Sequence, residues 1–222
     1  MDVPEVLLLD VNETLTDLEP LRLRFADVGA PESLLDRWFA ATLRDGFALT
    51  AADTFASFGD VAAGVLQTLL PSYGVNDMPA AVRHILGGFA ELPVHADVVP
   101  GLTRLHAAGV RLVTLTNGSL ATSAPVLERA GLLPALEQRL SVDDAGRWKP
   151  HREAYLYAVG VCGVDADRAA LVAVHPWDVD GALRAGLRGV WVNRHEGTYP
   201  PVFTPPTLTV RGFDDLADAL QA

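Results

Sequence analysis

The chain has a single cysteine, Cys162, among its 222 residues, which excludes an internal disulfide and a multi-thiolate metal site. Basic residues are scarce: 17 Lys and Arg stand against 28 Asp and Glu, a formal net charge of −11. That balance argues against nucleic acid or an anionic membrane surface as partner, because both are bound through clustered Lys and Arg. Long apolar runs are missing too. Val6–Leu9 stops at Asp10, far short of a signal-peptide core or a membrane span, so a soluble, cytoplasmic protein is expected. No Gly-rich phosphate loop, fixed-period repeat or low-complexity tract occurs, which leaves nucleotide binding and repeat architectures without support. What remains is half apolar and one fifth charged, a globular profile. A chain of this length buries roughly 70% of its unfolded surface and needs no structural metal. It suits one large domain, or a core with a smaller insert.

The short apolar runs Val6–Leu9, Leu112–Leu115, Leu171–Val174, Val190–Val192 and Leu208–Val210 read as strands covered on both faces. Between them lie helix-like stretches at Gly101–Ala108, Ala121–Ala130, Glu153–Val159 and Gly181–Ala185, with Gly109, Gly131, Gly160 and Gly186 near their ends. This alternation predicts an α/β fold, a Rossmann-like, doubly wound parallel sheet. From about Leu18 to Leu92 the alternation fails. Helical patterns at Leu34–Leu43, Val61–Leu70 and Ala80–Phe89 are punctuated by Pro31, Pro71, Pro79 and Pro93. An all-helical cap over 17–93, inserted after the first strand into a core of 1–16 and 94–222, is the simplest arrangement.

Ligands of an open parallel sheet bind at the carboxyl ends of its strands, so the residues just past each strand are the informative ones. They are Asp10-Val11-Asn12-Glu13-Thr14, Thr116-Asn117-Gly118-Ser119 and His175-Pro176-Trp177-Asp178, joined by Lys149 ahead of the helix carrying Tyr155. A carboxylate such as Asp10 can attack an electrophile and form an ester, splitting one displacement into two steps. Lys149 nearby would hold Asp10 ionised. Thr116 and Asn117 could position nucleophile and substrate, and Asp178 could orient or activate the water that cleaves the ester. Each residue alone has a plainer role as a helix cap or a solvated charge; four at one sheet edge are harder to dismiss.

Asp10–Thr14, Thr116-Asn117, Lys149-Pro150 and Trp177-Asp178, in that order, resemble the four motifs of the haloacid dehalogenase superfamily. The resemblance runs along essentially the whole chain, including the helical cap, and is closest to the type II (L-2-haloacid) dehalogenases. It implies Asp10 as nucleophile, with Thr14, Asn117-Gly118-Ser119, Lys149, Tyr155 and Trp177-Asp178 in the site, and Trp38, Leu43, Phe58 and Leu66 in the cap. It also implies a small-molecule substrate, often a homodimer, and no cofactor. Phosphatases of the superfamily carry an Asp acid where this chain has Asn12, and a further acidic Mg²⁺ ligand where it has Val174. A metal-free reaction is therefore expected. An Mg²⁺-dependent phosphatase is one alternative, and a decayed site kept as a binding domain is another.

The departures from type II dehalogenases concern the grip on the substrate. Their cap arginine, directly after the Trp equivalent to Trp38, is Phe39 here; Arg44 is about 140° further around an ideal helix, and Arg37 would need a slipped alignment. A Ser and an Asn of their fourth motif become Ala173 and His175. Phe39, Phe58 and Trp177 could line an apolar pocket between cap and core, or simply pack. His175 titrates near neutral pH and could be the base that activates water, or could merely pack beside Pro176. His84, His95, His106 and Cys162 read as packing or surface residues, and His195-Glu196 lacks the second His of a helical zinc motif.

Overall fold

The computed structural model describes residues 3–221. Strand β1 (Val6–Leu9) leads into four helices, α1 (Leu21–Asp27), α2 (Leu34–Ala51), α3 (Phe58–Leu69) and α4 (Met78–Gly87). The chain then follows α5 (Val98–Ala107), β2 (Arg111–Thr116), α6 (Leu120–Arg129), β3 (Gln138–Ser141), α7 (Arg152–Cys162), β4 (Ala169–Ala173), α8 (Pro176–Ala185), β5 (Arg188–Val192), β6 (Leu208–Val210) and α9 (Phe213–Gln221). The six strands form one parallel sheet in the order β3-β2-β1-β4-β5-β6. This is the doubly wound order with its topological switch at β1. Among the described residues no helix is long and apolar enough to cross a membrane.

Strand periodicity explains the two layers. Val6 and Leu8 of β1 join Leu171 of β4, Tyr155 of α7 and Val179 of α8 in one core. Leu7 and Leu9 face the other way, onto Leu102 of α5 and Phe213 of α9. Each fully buried leucine stabilises the fold by about 1.5–3 kcal/mol, so the strand that positions Asp10 is among the most firmly held parts of the sheet.

Some elements differ from the sequence expectation. β3 was not foreseen because it is a sheet edge, with Gln138 and Arg139 exposed and only Leu140 and Ser141 buried. Helices α1 and α9 were also missed, and α2 continues well past Leu43 to Ala51. Gly160 lies inside α7; the residue that closes this helix is Gly163, at φ +67°. β4 ends at Ala173, which leaves Val174 in the turn.

The buried apolar residues of the helical cap are continuous with one layer of the core. Trp38 is fully buried, donates from Nε1 to the Ala62 carbonyl at 3.0 Å, and packs on Phe25 and Phe89 at 5.6 and 6.0 Å between ring centres. Cap and core meet at a two-stranded neck, where Asp17 donates to Pro93 and His95 donates to Leu15, both at 2.9 Å, around the Thr16–Val94 bridge. We propose residues 17–93 as the cap. Residues 1, 2 and 222 of the expected core lie outside the described residues.

Candidate active site

Asp10 stands one residue past β1, its backbone nitrogen donating to Val172 of β4 at 3.1 Å. The sheet edge thus fixes its direction before any side chain acts. Its Oδ1 accepts from Lys149 Nζ at 2.9 Å, and its Oδ2 from the Thr14 hydroxyl at 2.6 Å. The Thr14 oxygen in turn accepts from the Val174 backbone at 3.1 Å, tying the loop after β1 to the end of β4.

Lys149 is wholly buried. All three ammonium protons are directed, to Asp10, to Asp178 Oδ2 at 2.6 Å and to the Leu115 carbonyl at 2.9 Å, which is the full donor capacity of a lysine. Burial alone would lower its pKa, but the carboxylates of Asp10 and Asp178 overrule it and raise the value above the ordinary range. Asp178 is equally buried. Its second oxygen accepts from the Tyr155 hydroxyl at 2.6 Å, and burial pushes that phenol well above its usual pKa. Both Asp178 oxygens are therefore engaged, which makes Asp178 the group that holds Lys149 in place.

Thr116 and Asn117 shape loops. The Thr116 hydroxyl accepts from Gly118 N at 2.9 Å. The Asn117 amide pairs twice with the Lys149 backbone, accepting from its nitrogen at 2.9 Å and donating to its carbonyl at 3.2 Å. Asn12 packs its side chain near Gly118, and its carbonyl faces His175.

On the open side of Asp10 lies His175, the residue before α8. Its Nε2 is 3.9 Å from Asp10 Oδ2 and 3.3 Å from both Glu13 Oε2 and the Asn12 carbonyl. The imidazole stacks on Trp177 at 5.0 Å, and Trp177 meets Phe47 of the cap at 4.9 Å. Phe39 faces the imidazole at 6.5 Å and Phe58 at 6.4 Å, while Phe58 stacks on Trp148 at 5.8 Å. The cap thus presents aromatic rings to His175, Trp177 and Trp148. Arg37 is exposed, and Arg44 pairs with Asp45 on the outer surface with 72% of its side chain in solvent.

Two residues escaped sequence reasoning. Glu13 has a left-handed backbone, φ +63°, a conformation that costs a side-chain-bearing residue about 1–2 kcal/mol and is characteristic of functional loops. Trp148, beside Lys149, is fully buried against the cap, donating from its backbone to the Thr50 hydroxyl at 3.2 Å and from Nε1 to the Ala56 carbonyl at 2.9 Å.

Magnesium, the cofactor of the phosphatase alternative, meets an unsuitable donor set. Among the described residues no group of three His, Cys, Asp or Glu is placed to hold a metal. The two buried carboxylates share one ammonium, and position 174 offers valine where an oxygen ligand is needed for octahedral coordination.

A family profile described as hydrolase, haloacid dehalogenase-like hydrolase, matches residues 4–186. The chain is 27% identical over 222 residues to (S)-2-haloacid dehalogenase 1 of Pseudomonas sp. (strain CBS-3), covering 99% of this chain and 98% of that one. It is 27% identical over 218 residues to (S)-2-haloacid dehalogenase 4A of Burkholderia cepacia, covering 97% and 94%. Among solved structures, a dehalogenase with an intermediate complex superposes with a TM-score of 0.91 at 25% identity, over 100% of this chain and 99% of that one. The chain belongs to the haloacid dehalogenase-like hydrolase family, and its curated relatives are hydrolases acting on carbon–halide bonds.

Proposed function

We propose that this hydrolase cleaves the carbon–halide bond of a small 2-haloacid-like substrate through an ester on Asp10, without a metal. One observation carries the reading: a wholly buried lysine bonded to Asp10 and anchored by Asp178 and Tyr155. Asp10 attacks the halogen-bearing carbon, halide leaves, and water cleaves the resulting ester to alcohol and carboxylate. Lys149 and Thr14 hold the attacking carboxylate in one orientation, so little freedom is lost on reaching the transition state. The aromatic wall of Phe39, Phe58 and Trp177 restricts water during the first step, when a dry carboxylate is the better nucleophile. Asn12, standing where a phosphatase keeps its acid, and the donor set around Lys149 both disfavour phosphoryl transfer.

The wall also sets a cost. A buried, charge-assisted contact contributes about 2–5 kcal/mol to binding, and Phe39 contributes none. Simple 2-haloacids should therefore saturate the enzyme only at high concentration. The test is halide release from 2-chloropropionate and chloroacetate, with Asp10→Asn as control. Single turnover in ¹⁸O-water should place label in Asp10. Absence of halide release across a broad 2-haloacid panel would remove the proposal.

A further inference from the structure

The two oxygens of Asp10 are held differently. Oδ1 is fixed by the buried Lys149, whereas Oδ2 takes its hydrogen bond from the Thr14 hydroxyl at 2.6 Å. Thr14 follows Glu13, whose backbone is left-handed at φ +63°. A turn of that kind persists in a residue with a side chain only where its surroundings over-determine it. Here the two carbonyls that leave the turn are both held from outside the loop. The Glu13 carbonyl faces His95 Nε2 at 3.0 Å, and a carbonyl can only accept, so the proton sits on that nitrogen. Burial, aided by the charge of Arg194, keeps the His95 pKa below its ordinary value, and the ring donates as a neutral imidazole. The Thr14 carbonyl accepts from Arg194 Nη2 at 2.9 Å.

Arg194 stands in the loop after β5 and has no part in the reaction described so far. Its neighbour Asn193 fixes that loop. The Asn193 backbone donates to Val210 of β6 at 2.7 Å, and its side-chain amide pairs with the Gly197 backbone at 2.8 and 3.0 Å. The Arg194 side chain is only 12% exposed, and its Nη1 pairs with Asp97, just ahead of α5. Asp97 is held from behind, its Oδ2 accepting from the Phe213 backbone at 2.7 Å. The guanidinium lies over the Phe213 ring, 5.7 Å from its centre. One nearly buried cation thus ties the loop carrying Thr14 to the ends of β5, α5 and α9.

We infer that Arg194 is a positioning residue for the attack by Asp10: its bond to the Thr14 carbonyl sets the turn that points the Thr14 hydroxyl at Asp10 Oδ2. The assignment rests on the reading of Asp10 as nucleophile. Arg194 acts through Thr14 and not on the reacting atoms. Its planar fork reaches Asp97 and the Thr14 carbonyl at once, which the point charge of a lysine does not reproduce. Attack on carbon needs the carboxylate oxygen in line with the departing halide, so a turn free to relax costs rate and not affinity. A brace with no role in aiming would lower stability and leave the halide step alone.

The experiment is single-turnover halide release, with enzyme in excess over a 2-haloacid that wild type turns over, on Arg194→Met, Thr14→Val and the two combined. Arg194→Met should slow release about tenfold or more, the scale of small misplacements of reacting groups. Its KM should stay within about twofold of wild type, as expected when only the transition state loses an interaction. In the Thr14→Val background the same substitution should cost less than about twofold, because the hydroxyl it aims is gone. Arg194→Met strands the Asp97 carboxylate, so Arg194→Met with Asp97→Asn is the second variant. It should regain urea resistance and remain as slow as Arg194→Met. Halide release at the wild-type rate in either Arg194 variant overturns the assignment. So does an equal cost of Arg194→Met with and without the Thr14 hydroxyl, which would leave Arg194 a brace. Halide release by Asp10→Asn faults the nucleophile reading itself, and the aim of Thr14 then loses its object.

Discussion

Lys149 is the residue whose removal should cost most. Two buried carboxylates share its one ammonium, so Lys149→Met leaves Asp10 and Asp178 uncompensated. Breaking a buried pair in this way typically costs about 3–5 kcal/mol. Urea unfolding should record that loss, while Lys149→Met with Asp178→Asn recovers part of it and restores no activity. Because the folded pKa of Lys149 lies above its ordinary value, its stabilisation is complete below the unfolded-state lysine value of about 10.4 and disappears as pH rises through the folded one. Wild type should accordingly lose stability on the alkaline side more steeply than the double variant does. Asp10, Lys149 and Asp178 were expected together from their places at strand ends and a helix start, Thr14 and Tyr155 only from the family resemblance, and hydrogen bonds connect the five. Glu13 was not expected there. Nothing in a Glu between Asn12 and Thr14 announces a positive φ, and its partner His175 lies beyond ten intervening strands and helices in the chain.

At the scale of elements, the cap does more than cover the site. The segment carrying Lys149 is gripped by the cap through Trp148, whose ring lies so close to α2 that a Cβ on Gly46 would meet it at 2.4 Å. Thr50 and Ala56 complete the grip. Cap position and lysine position are thus mechanically linked, a coupling hidden from sequence because the expected helix stops at Leu43 and leaves Gly46 outside it. Gly46→Ala would gain helix propensity yet force Trp148 aside. The expected outcome is a kcat lowered about tenfold or more, the scale of loss that small misplacements of catalytic groups cause, with Trp fluorescence shifted and KM little changed. Equal activity in Gly46→Ala would show that cap and lysine move independently. Edge strand β3 illustrates a different illegibility: Gln138 and Arg139 are exposed, and an edge half in water need not carry an apolar run.

For the whole molecule the relevant quantity is the field. A chain of net charge −11, with Glu13, Asp17 and Glu19 around the cavity beside the nucleophile, repels a carboxylate substrate during approach, and no cap arginine offsets it. Salt screens such a field: the Debye length falls from about 30 Å at 0.01 M to about 8 Å at 0.15 M. Raising a non-halide salt between those limits should therefore increase kcat/KM for 2-chloropropionate by roughly a few-fold, the reverse of the salt response of an enzyme that steers its substrate electrostatically. A neutral substrate such as 2-chloropropionamide feels no net force and should respond little, so the ratio of the two removes effects of salt on the chemical step. If kcat/KM for the anion falls with salt instead, a cationic surface guides it in, and Arg194 and His195, on the same cavity as His175, become the groups to replace.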